Sequence, residues 1–139
     1  MNDTLDATDT VDTTILVVDD DADMRFLARS VLEGSGIEVA AEAADGAEAL
    51  AKLEELNPPP VPTVILLDNQ MPGLTGLEVA EQILRERPEQ LIVLFSAYLD
   101  AGIIAQARRL GIASCVSKND AMELPEILTD LLREHGHRH

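Results

Sequence analysis

Short apolar runs alternate with longer segments of helical periodicity along most of this chain. Four of the runs stop at a polar residue, and they are Ile15–Val18, Val64–Leu67, Leu91–Phe95 and Cys115–Ser117. A weaker run spans Glu38–Ala43. Short, nearly continuous apolar runs are typical of parallel strands that are buried on both faces. The pattern therefore predicts five β-strands.

The segments between these runs carry apolar residues at helical spacing, and residues typical of helix ends delimit them. We expect Gly34 and Gly36 to end the first helix in the left-handed conformation, and Asp45 to cap the second. The predicted helices are Ala22–Glu33, Asp45 to about Leu56, Thr75 to just before Pro88, Asp100–Leu110 and Asp120–Glu134, the last with Pro125 within its first turns.

Five repeats of strand and helix predict an α/β fold, a doubly wound parallel sheet with helices on both faces. The 139 residues fit one domain, for which we predict the bounds 14–134. Residues 1–13 alternate Asp with Thr and small residues, and we expect a disordered acidic tail there. Residues 58–62 are mostly proline and predict a stiff connector. Residues 135–139 contain three histidines and are expected to fray.

Charge and composition exclude several classes of function. The formal net charge is −16, from 26 acidic residues against 10 Lys and Arg, so neither nucleic acid nor an anionic membrane surface is an expected partner. No apolar stretch approaches the roughly 20 residues that span a bilayer, and the N-terminus lacks the pattern of a secretory signal. A single Cys cannot form an internal disulfide. These features favour a cytoplasmic protein.

Polar side chains with phosphate and metal chemistry follow four of the predicted strands. Asp19 and Asp20 follow the first strand, Asp68 the third, Ser96 the fourth and Lys118 the fifth. The carboxyl ends of parallel strands meet at one edge of the sheet, where open α/β folds build their sites, so we expect these side chains to converge. Two carboxylates about 4 Å apart repel by roughly 4 kcal/mol at an effective dielectric near 20. Such acids need a cation between them, and oxygen ligands with room for water suit Mg²⁺.

Several separated motifs resemble the receiver domain of two-component response regulators. They are I-L-V-V-D-D at residues 15–20, L-L-D-N-Q-M-P-G-L-T-G at residues 66–76, the pair Ser96-Ala97, and Lys118. The resemblance covers roughly residues 14–134. It implies a flavodoxin-like sheet with the strand order 2-1-3-4-5.

The resemblance also implies roles for individual residues. Asp68 would accept a phosphoryl group from a phosphohistidine. Asp20, Asp68 and the backbone carbonyl of Gln70 would coordinate Mg²⁺ or Mn²⁺, and Asp19 would hold the metal through water. The remaining roles concern the phosphate: Lys118 would pair with its oxygens, and Ser96 would move toward it.

The same resemblance implies the partners. The donor would be a sensor histidine kinase or a phosphotransfer protein, and the domain would catalyse its own phosphorylation and dephosphorylation without being an enzyme in the usual classification. We expect a stand-alone receiver that signals through a downstream protein or a second copy of itself. The contact face implied by the family consists of the fourth helix, the fifth strand and the fifth helix.

The chain departs from the family pattern near the expected switch. Cys115 stands three residues before Lys118, where many receivers carry an aromatic side chain. We therefore expect the switch to rely on the backbone of the loop after Ser96, at Ala97 and Tyr98. A bulky Tyr98 is expected to hinder hydrolysis of the acyl phosphate and so to slow self-dephosphorylation.

Other readings of the same residues are open at this stage. Asp19-x-Asp21 after a buried strand resembles haloacid-dehalogenase phosphatases, although Asp23 replaces the usual Thr or Val. Asp21 is also expected to cap the first helix. A degenerate receiver that serves only as a binding scaffold is the non-catalytic alternative.

Overall fold

The centre of the fold is a sheet of five parallel strands in the order β2-β1-β3-β4-β5. The computed structural model describes residues 13–56 and 63–136; the predictions for residues 1–12, for the proline connector, and for His137 and His139 fall outside them. The strands are β1 (Thr14–Val18), β2 (Glu38–Ala43), β3 (Val64–Leu67), β4 (Leu91–Ser96) and β5 (Ser114–Ser117). The predicted fold class and strand order are confirmed.

In the part of the chain that the structure describes, five α-helices connect and flank the strands, and side-chain caps favour the start of the first four. The helices are α1 (Ala22–Glu33), α2 (Gly46–Glu55), α3 (Gly76–Glu86), α4 (Ala101–Leu110) and α5 (Leu124–Gly136). Oxygen atoms of Asp21, Asp45, Thr75 and Asp100 accept hydrogen bonds from backbone N–H groups in the first turns of α1 to α4. Side-chain caps of this kind stabilise a helix by about 1 kcal/mol each. None of the helices that the structure describes is long and apolar enough to cross a membrane.

The sheet separates two apolar layers. Side chains alternate between the faces of each strand, so that Leu16 and Ile65 lie in the layer covered by α2, α3 and α4, whereas Ile15 and Val64 lie in the layer covered by α1 and α5. Both faces of β1 and β3 are therefore buried, which explains their unbroken apolar sequences. Each fully buried aliphatic side chain contributes about 1.5–3 kcal/mol. This core fixes where the strands end, and with it the side chains that follow them.

The end of α1 differs from the prediction at one glycine. Gly34 keeps a right-handed conformation, with φ −63°, and continues the helical hydrogen bonding to Ser30. Gly36 adopts φ 84° and reverses the chain, as the prediction required, so that the N–H of Ile37 bonds to the carbonyl of Leu32. Only the second glycine provides the left-handed residue that a helix end commonly uses.

The start of the last helix was also predicted wrongly. Lys118–Glu123 form a 3₁₀ helix with a non-helical residue at Asp120, and α5 begins only at Leu124. Pro125 explains the late start, because it has no N–H to donate to the carbonyl of Ala121 and its ring would clash there. Proline is tolerated in the first turn of a helix, where that bond is not needed.

Gly76 brings α3 unusually close to the backbone that follows β3. A Cβ atom at this position would overlap the carbonyl oxygen of Asp68 and lie 2.8 Å from the Cα of Asn69. The backbone N–H of Gly76 donates to the carbonyl of Asn69 at 3.0 Å. A side chain at residue 76 would therefore displace the loop that carries Asp68.

Candidate functional site

The order of the strands places two carboxylates side by side at the carboxyl edge of the sheet. Val18 pairs with Leu67 in the register of β1 and β3, so the next residues, Asp19 and Asp68, are neighbours. Both are almost fully buried, at 2% and 3% exposure, and the backbone N–H of Asp68 donates to the carbonyl of Val18 at 2.9 Å. The sheet order reverses between β1 and β3, and crevices at such a reversal are where doubly wound folds bind ligands.

Lys118 reaches this pair from the end of β5, an edge strand of the sheet. Its ammonium lies 2.7 Å from Oδ2 of Asp19 and 3.3 Å from Oδ2 of Asp68, and its side chain is only 14% exposed. Because β4 lies between β3 and β5, the long side chain has to cross the end of β4 to make these contacts. The convergence predicted for Lys118 with the acids is therefore present in the structure.

The acidic cluster has a third carboxylate, on Asp20. Carboxylate oxygens of Asp19, Asp20 and Asp68 all lie within 4.8 Å of one another, and Asp20 is exposed where the other two are buried. Three carboxylates against the one ammonium of Lys118 leave a formal charge of −2, which a single divalent cation would balance. Oxygen donors with one ligand open to solvent fit Mg²⁺ or Mn²⁺, since these hard cations keep several waters. The residues present thus fit the implied metal.

Burial and charge shift the pKa values inside the crevice. Burial, followed by repulsion from Asp19, raises the pKa of Asp68 above its ordinary value, although Lys118 and the N–H of Gln70 act in the opposite direction. Burial alone would lower the pKa of Lys118, but its hydrogen bond to Asp19 and the charges of both carboxylates together outweigh burial and raise it. Lys118 therefore stays charged, while ionised Asp68 is held in an unfavourable environment.

The raised pKa of Asp68 predicts a pH-dependent effect of removing its charge. A group whose pKa is higher in the folded state binds its proton more tightly there, so ionisation destabilises the fold as pH rises through that pKa. Asp68→Asn, which resembles the protonated form, should therefore raise the melting temperature at neutral pH in chelator. The gain should vanish at pH values below 3.8, the ordinary pKa of the carboxyl. Thermal denaturation of both proteins across this range checks the prediction, and a variant less stable than wild type at neutral pH would contradict it.

The same local turn ends four of the strands that the structure describes, including β3, where Oδ1 of Asp68 accepts the N–H of Gln70; the hydrogen bonds of the other three are shorter. Oδ1 of Asp19 accepts the N–H of Asp21 at 2.9 Å, Oγ of Ser96 accepts the N–H of Tyr98 at 3.3 Å, and Oγ of Ser117 accepts the N–H of Asn119 at 3.1 Å. Asx and hydroxyl turns of this kind fix a side chain through its own backbone. The polar residues at the strand ends are therefore held in place before any ligand binds.

Ser96 and its neighbours lie at the same edge of the sheet. Ser96 is fully buried and pairs in register with Ser117, the residue before Lys118. Ala97 is exposed, and Tyr98 is 55% exposed in the loop that follows β4. The structure therefore places this predicted switch segment beside β5, the strand that Lys118 follows.

Of the other predicted site residues, Gln70 contacts the crevice and Cys115 belongs to an apolar layer. The backbone N–H of Gln70 approaches Oδ1 of Asp68 at 3.4 Å, while Gln70 itself is exposed. Cys115 is half-buried and packs against the apolar layer that α2, α3 and α4 cover. Burial raises the pKa of its thiol, against a smaller opposing influence of Arg108. Cys115 is thus a small, partly buried side chain of that layer.

Two residues that support the site were not found from the sequence. Asn69 is buried, and its side-chain oxygen accepts the N–H of Leu77 at 3.0 Å, which ties the loop after Asp68 to the start of α3. Arg25 donates from Nη1 to the backbone carbonyl of Asp19 at 2.6 Å. In both hydrogen bonds the two residues are too far apart in the sequence for a local pattern to indicate the contact.

The structure separates Asp21 from the acidic cluster. Asp21 is the N-cap of α1, and its Oδ1 accepts the N–H of Asp23 at 2.9 Å. The cluster is built instead from Asp19 and Asp20 together with Asp68. The acidic cluster in the described residues therefore does not contain the Asp19-x-Asp21 pair.

Comparison with known proteins identifies the family. The family model of the response regulator receiver domain matches residues 15–129, so the chain belongs to the response regulator receivers of two-component signalling. It is 33% identical over 104 residues to the chemotaxis protein CheY of Listeria monocytogenes, an alignment that covers 75% of this chain and 84% of that protein. It superposes with a TM-score of 0.81 and 25% identity on a CheY-like receiver domain from Methanospirillum hungatei, covering 91% of this chain and 98% of the other.

Similar receivers also occur within larger proteins. The chain is 38% identical over 106 residues to a protein-glutamate methylesterase/protein-glutamine glutaminase of Agrobacterium fabrum, and the alignment covers 75% of this chain but only 29% of that protein. The match concerns the receiver part, since the family model accounts for residues 15–129 of this chain.

Proposed function

We propose that Asp68 accepts a phosphoryl group from the phosphohistidine of a sensor histidine kinase or a phosphotransfer protein, in a reaction that depends on Mg²⁺ or Mn²⁺. The phosphorylated receiver then signals through protein contacts. The observation that carries this proposal is the position of the Lys118 ammonium, 2.7 Å from Asp19 and 3.3 Å from Asp68. Residues from three strands thereby form one charged crevice of the kind that phosphoryl transfer requires.

The proposed step forms an acyl phosphate. A carboxylate oxygen of Asp68 forms a bond to phosphorus while the bond between phosphorus and the donor imidazole nitrogen breaks. The bonding pair of that bond stays on the imidazole nitrogen, so no other reactant is consumed. Deep burial of Asp68 fixes the direction of its approach, and such positioning accounts for much of the catalysis of phosphoryl transfer.

The charges around Asp68 favour transfer through electrostatic stabilisation. The Lys118 ammonium would move from its carboxylate partners to the phosphoryl oxygens, where negative charge accumulates, and the hydroxyl of Ser96 would donate to one of them. Asp20, Asp68 and the carbonyl of Gln70 would hold the divalent cation, with Asp19 holding it through water, and the cation would neutralise the remaining phosphoryl charge. Each of these groups is attached to the end of a strand or to the loop that follows it.

Signalling would begin at the loop after β4. Movement of the Ser96 hydroxyl toward the phosphate would release its bond to the N–H of Tyr98, which measures 3.3 Å, and would shift the backbone at Ala97 and Tyr98. With Cys115 instead of an aromatic side chain on β5, this backbone movement would carry the signal. The responding surface would be the face of α4, β5 and α5, which a downstream protein or a second copy of the chain would contact.

Incubation with acetyl phosphate and Mg²⁺ tests the proposal without knowledge of the natural donor. Intact-mass measurement should show the addition of a single phosphoryl group. Hydroxylamine should remove that group, because it cleaves acyl phosphates and leaves phosphoserine intact. No mass increase at saturating donor, or a modification that resists hydroxylamine, would contradict the proposal.

A further inference from the structure

Every hydrogen-bonding group of Asp19 has a partner. Its backbone N–H donates to the carbonyl of Ala43 at 3.0 Å, and its backbone carbonyl accepts from Nη1 of Arg25 at 2.6 Å. Its two side-chain oxygens accept from the N–H of Asp21 and from the ammonium of Lys118. Among the described residues, the side chain that holds the peptide between Asp19 and Asp20 from outside the loop is therefore that of Arg25.

The guanidinium of Arg25 bonds to this peptide through one nitrogen and to Glu42 through another. Its Nε donates to Oε1 of Glu42 on β2 at 3.2 Å while Nη1 reaches the Asp19 carbonyl. The other oxygen of Glu42 accepts from Nε of Arg29 at 2.6 Å, so the bond from Arg25 to Oε1 does not involve Arg29. The side chain of Arg25 is only 20% exposed. A planar guanidinium can satisfy two acceptors in fixed directions, which an ammonium does less well.

The position of the Asp20 carboxylate depends on the Arg25 contact more than the positions of the Asp19 and Asp68 carboxylates do. Within residues 13–56 and 63–136, no hydrogen bond or ion pair holds the exposed carboxylate of Asp20. Asp19 and Asp68, in contrast, are each fixed by Lys118 and a backbone N–H. The backbone conformation at residues 19–20 thus decides where the Asp20 oxygens lie within the cluster.

We propose that Arg25 is a positioning residue for divalent-cation binding, because its bond to the Asp19 carbonyl orients the peptide that carries Asp20. This inference rests on the proposed function, in that the acidic cluster has to bind the cation. Arg25 itself touches neither the cation nor the phosphoryl group. Its contribution is geometric rather than electrostatic, because the positive charges of Arg25 and Arg29 are balanced by the negative charges of Glu42 and Glu33.

Isothermal titration with Mg²⁺, in the absence of any phosphodonor, tests the role directly. Arg25→Gln should weaken Mg²⁺ binding about tenfold, the low end of what loss of a supporting residue around a metal site costs. Arg25→Lys keeps the positive charge but loses the planar guanidinium that reaches two acceptors. It should bind Mg²⁺ about threefold more weakly than wild type. The concentration of Mg²⁺ that half-saturates phosphorylation by acetyl phosphate should rise in parallel, while the rate at saturating Mg²⁺ stays close to that of wild type.

Arg29→Gln is the matched control. It removes the bond to the same Glu42 and the pair with Glu33 but no contact to Asp19, so Mg²⁺ binding should stay within about twofold of wild type. Equal effects of Arg25→Gln and Arg29→Gln on Mg²⁺ binding would overturn the positioning role. Wild-type affinity of Arg25→Lys for Mg²⁺ would also overturn it, because this variant keeps the positive charge and should fold. Failure of the proposed function is distinguishable, because the wild-type protein itself would then bind no Mg²⁺ or accept no phosphoryl group.

Discussion

Asp68→Asn should accept no phosphoryl group from acetyl phosphate, under conditions in which the wild-type protein is fully phosphorylated. The carboxamide has nearly the same shape as the carboxylate, but its oxygen is a poor nucleophile and carries no charge. Asp19 remains as a partner for Lys118, at 2.7 Å, so the crevice keeps its ammonium. Intact-mass measurement over time gives the extent of modification, and we expect it to stay at background.

Two comparisons separate loss of chemistry from loss of fold. The melting temperature of Asp68→Asn in chelator should be at least that of wild type, since the substitution removes a destabilising charge. Asp21→Asn makes the same change from carboxylate to carboxamide after β1, at a side chain that caps α1 and is not part of the acidic cluster. Asn and Asp cap helices about equally well, so this variant should be phosphorylated at the wild-type rate. Phosphorylation of Asp68→Asn at a comparable rate would refute the role of Asp68.

Removal of divalent cations should also abolish phosphorylation. Without a cation, the crevice holds the carboxylates of Asp19, Asp20 and Asp68 against one ammonium. Each further negative charge about 4 Å away costs roughly 4 kcal/mol at an effective dielectric near 20, which opposes the approach of a phosphodonor. In excess EDTA we expect no mass increase with acetyl phosphate.

Restoring the cation completes the experiment. Addition of Mg²⁺ beyond the chelator should return phosphorylation to its full extent, and Mn²⁺ should substitute because it also prefers oxygen ligands. Mg²⁺ should raise the melting temperature of wild type more than that of Asp20→Asn, since a ligand that binds the folded state stabilises it according to its affinity. Full labelling in excess EDTA would show that the acidic cluster serves another purpose.

The convergence of the site was predictable because it follows from topology. Parallel strands place their carboxyl ends at one edge, so the residues after β1, β3 and β5 had to lie near one another once the strand order was known. Lys118 confirms this most clearly, because its contacts to Asp19 and Asp68 join parts of the chain that are far apart in sequence. Asp21 was also correctly expected to cap α1.

Apart from the late start of α5, which Pro125 explains locally, the errors concern features that depend on partners outside the local sequence. Both Gly34 and Gly36 suited a left-handed end of α1, and only the path of the chain toward β2 selected Gly36. Arg25 had the sequence context of a solvated helical residue, and Asn69 that of a loop residue. Their functional contacts, to the Asp19 carbonyl and to the N–H of Leu77, become visible only when α1, β2 and α3 have packed on the sheet.

The identity of the modified residue tests the central claim most directly. Wild-type protein can be phosphorylated with acetyl phosphate and Mg²⁺ and then treated with borohydride, which reduces an aspartyl phosphate to homoserine and so marks the residue permanently. Proteolysis and mass spectrometry should then find homoserine at residue 68, and at neither Asp19 nor Asp20. Homoserine at another position, or none in a protein that has gained phosphate, would contradict the account.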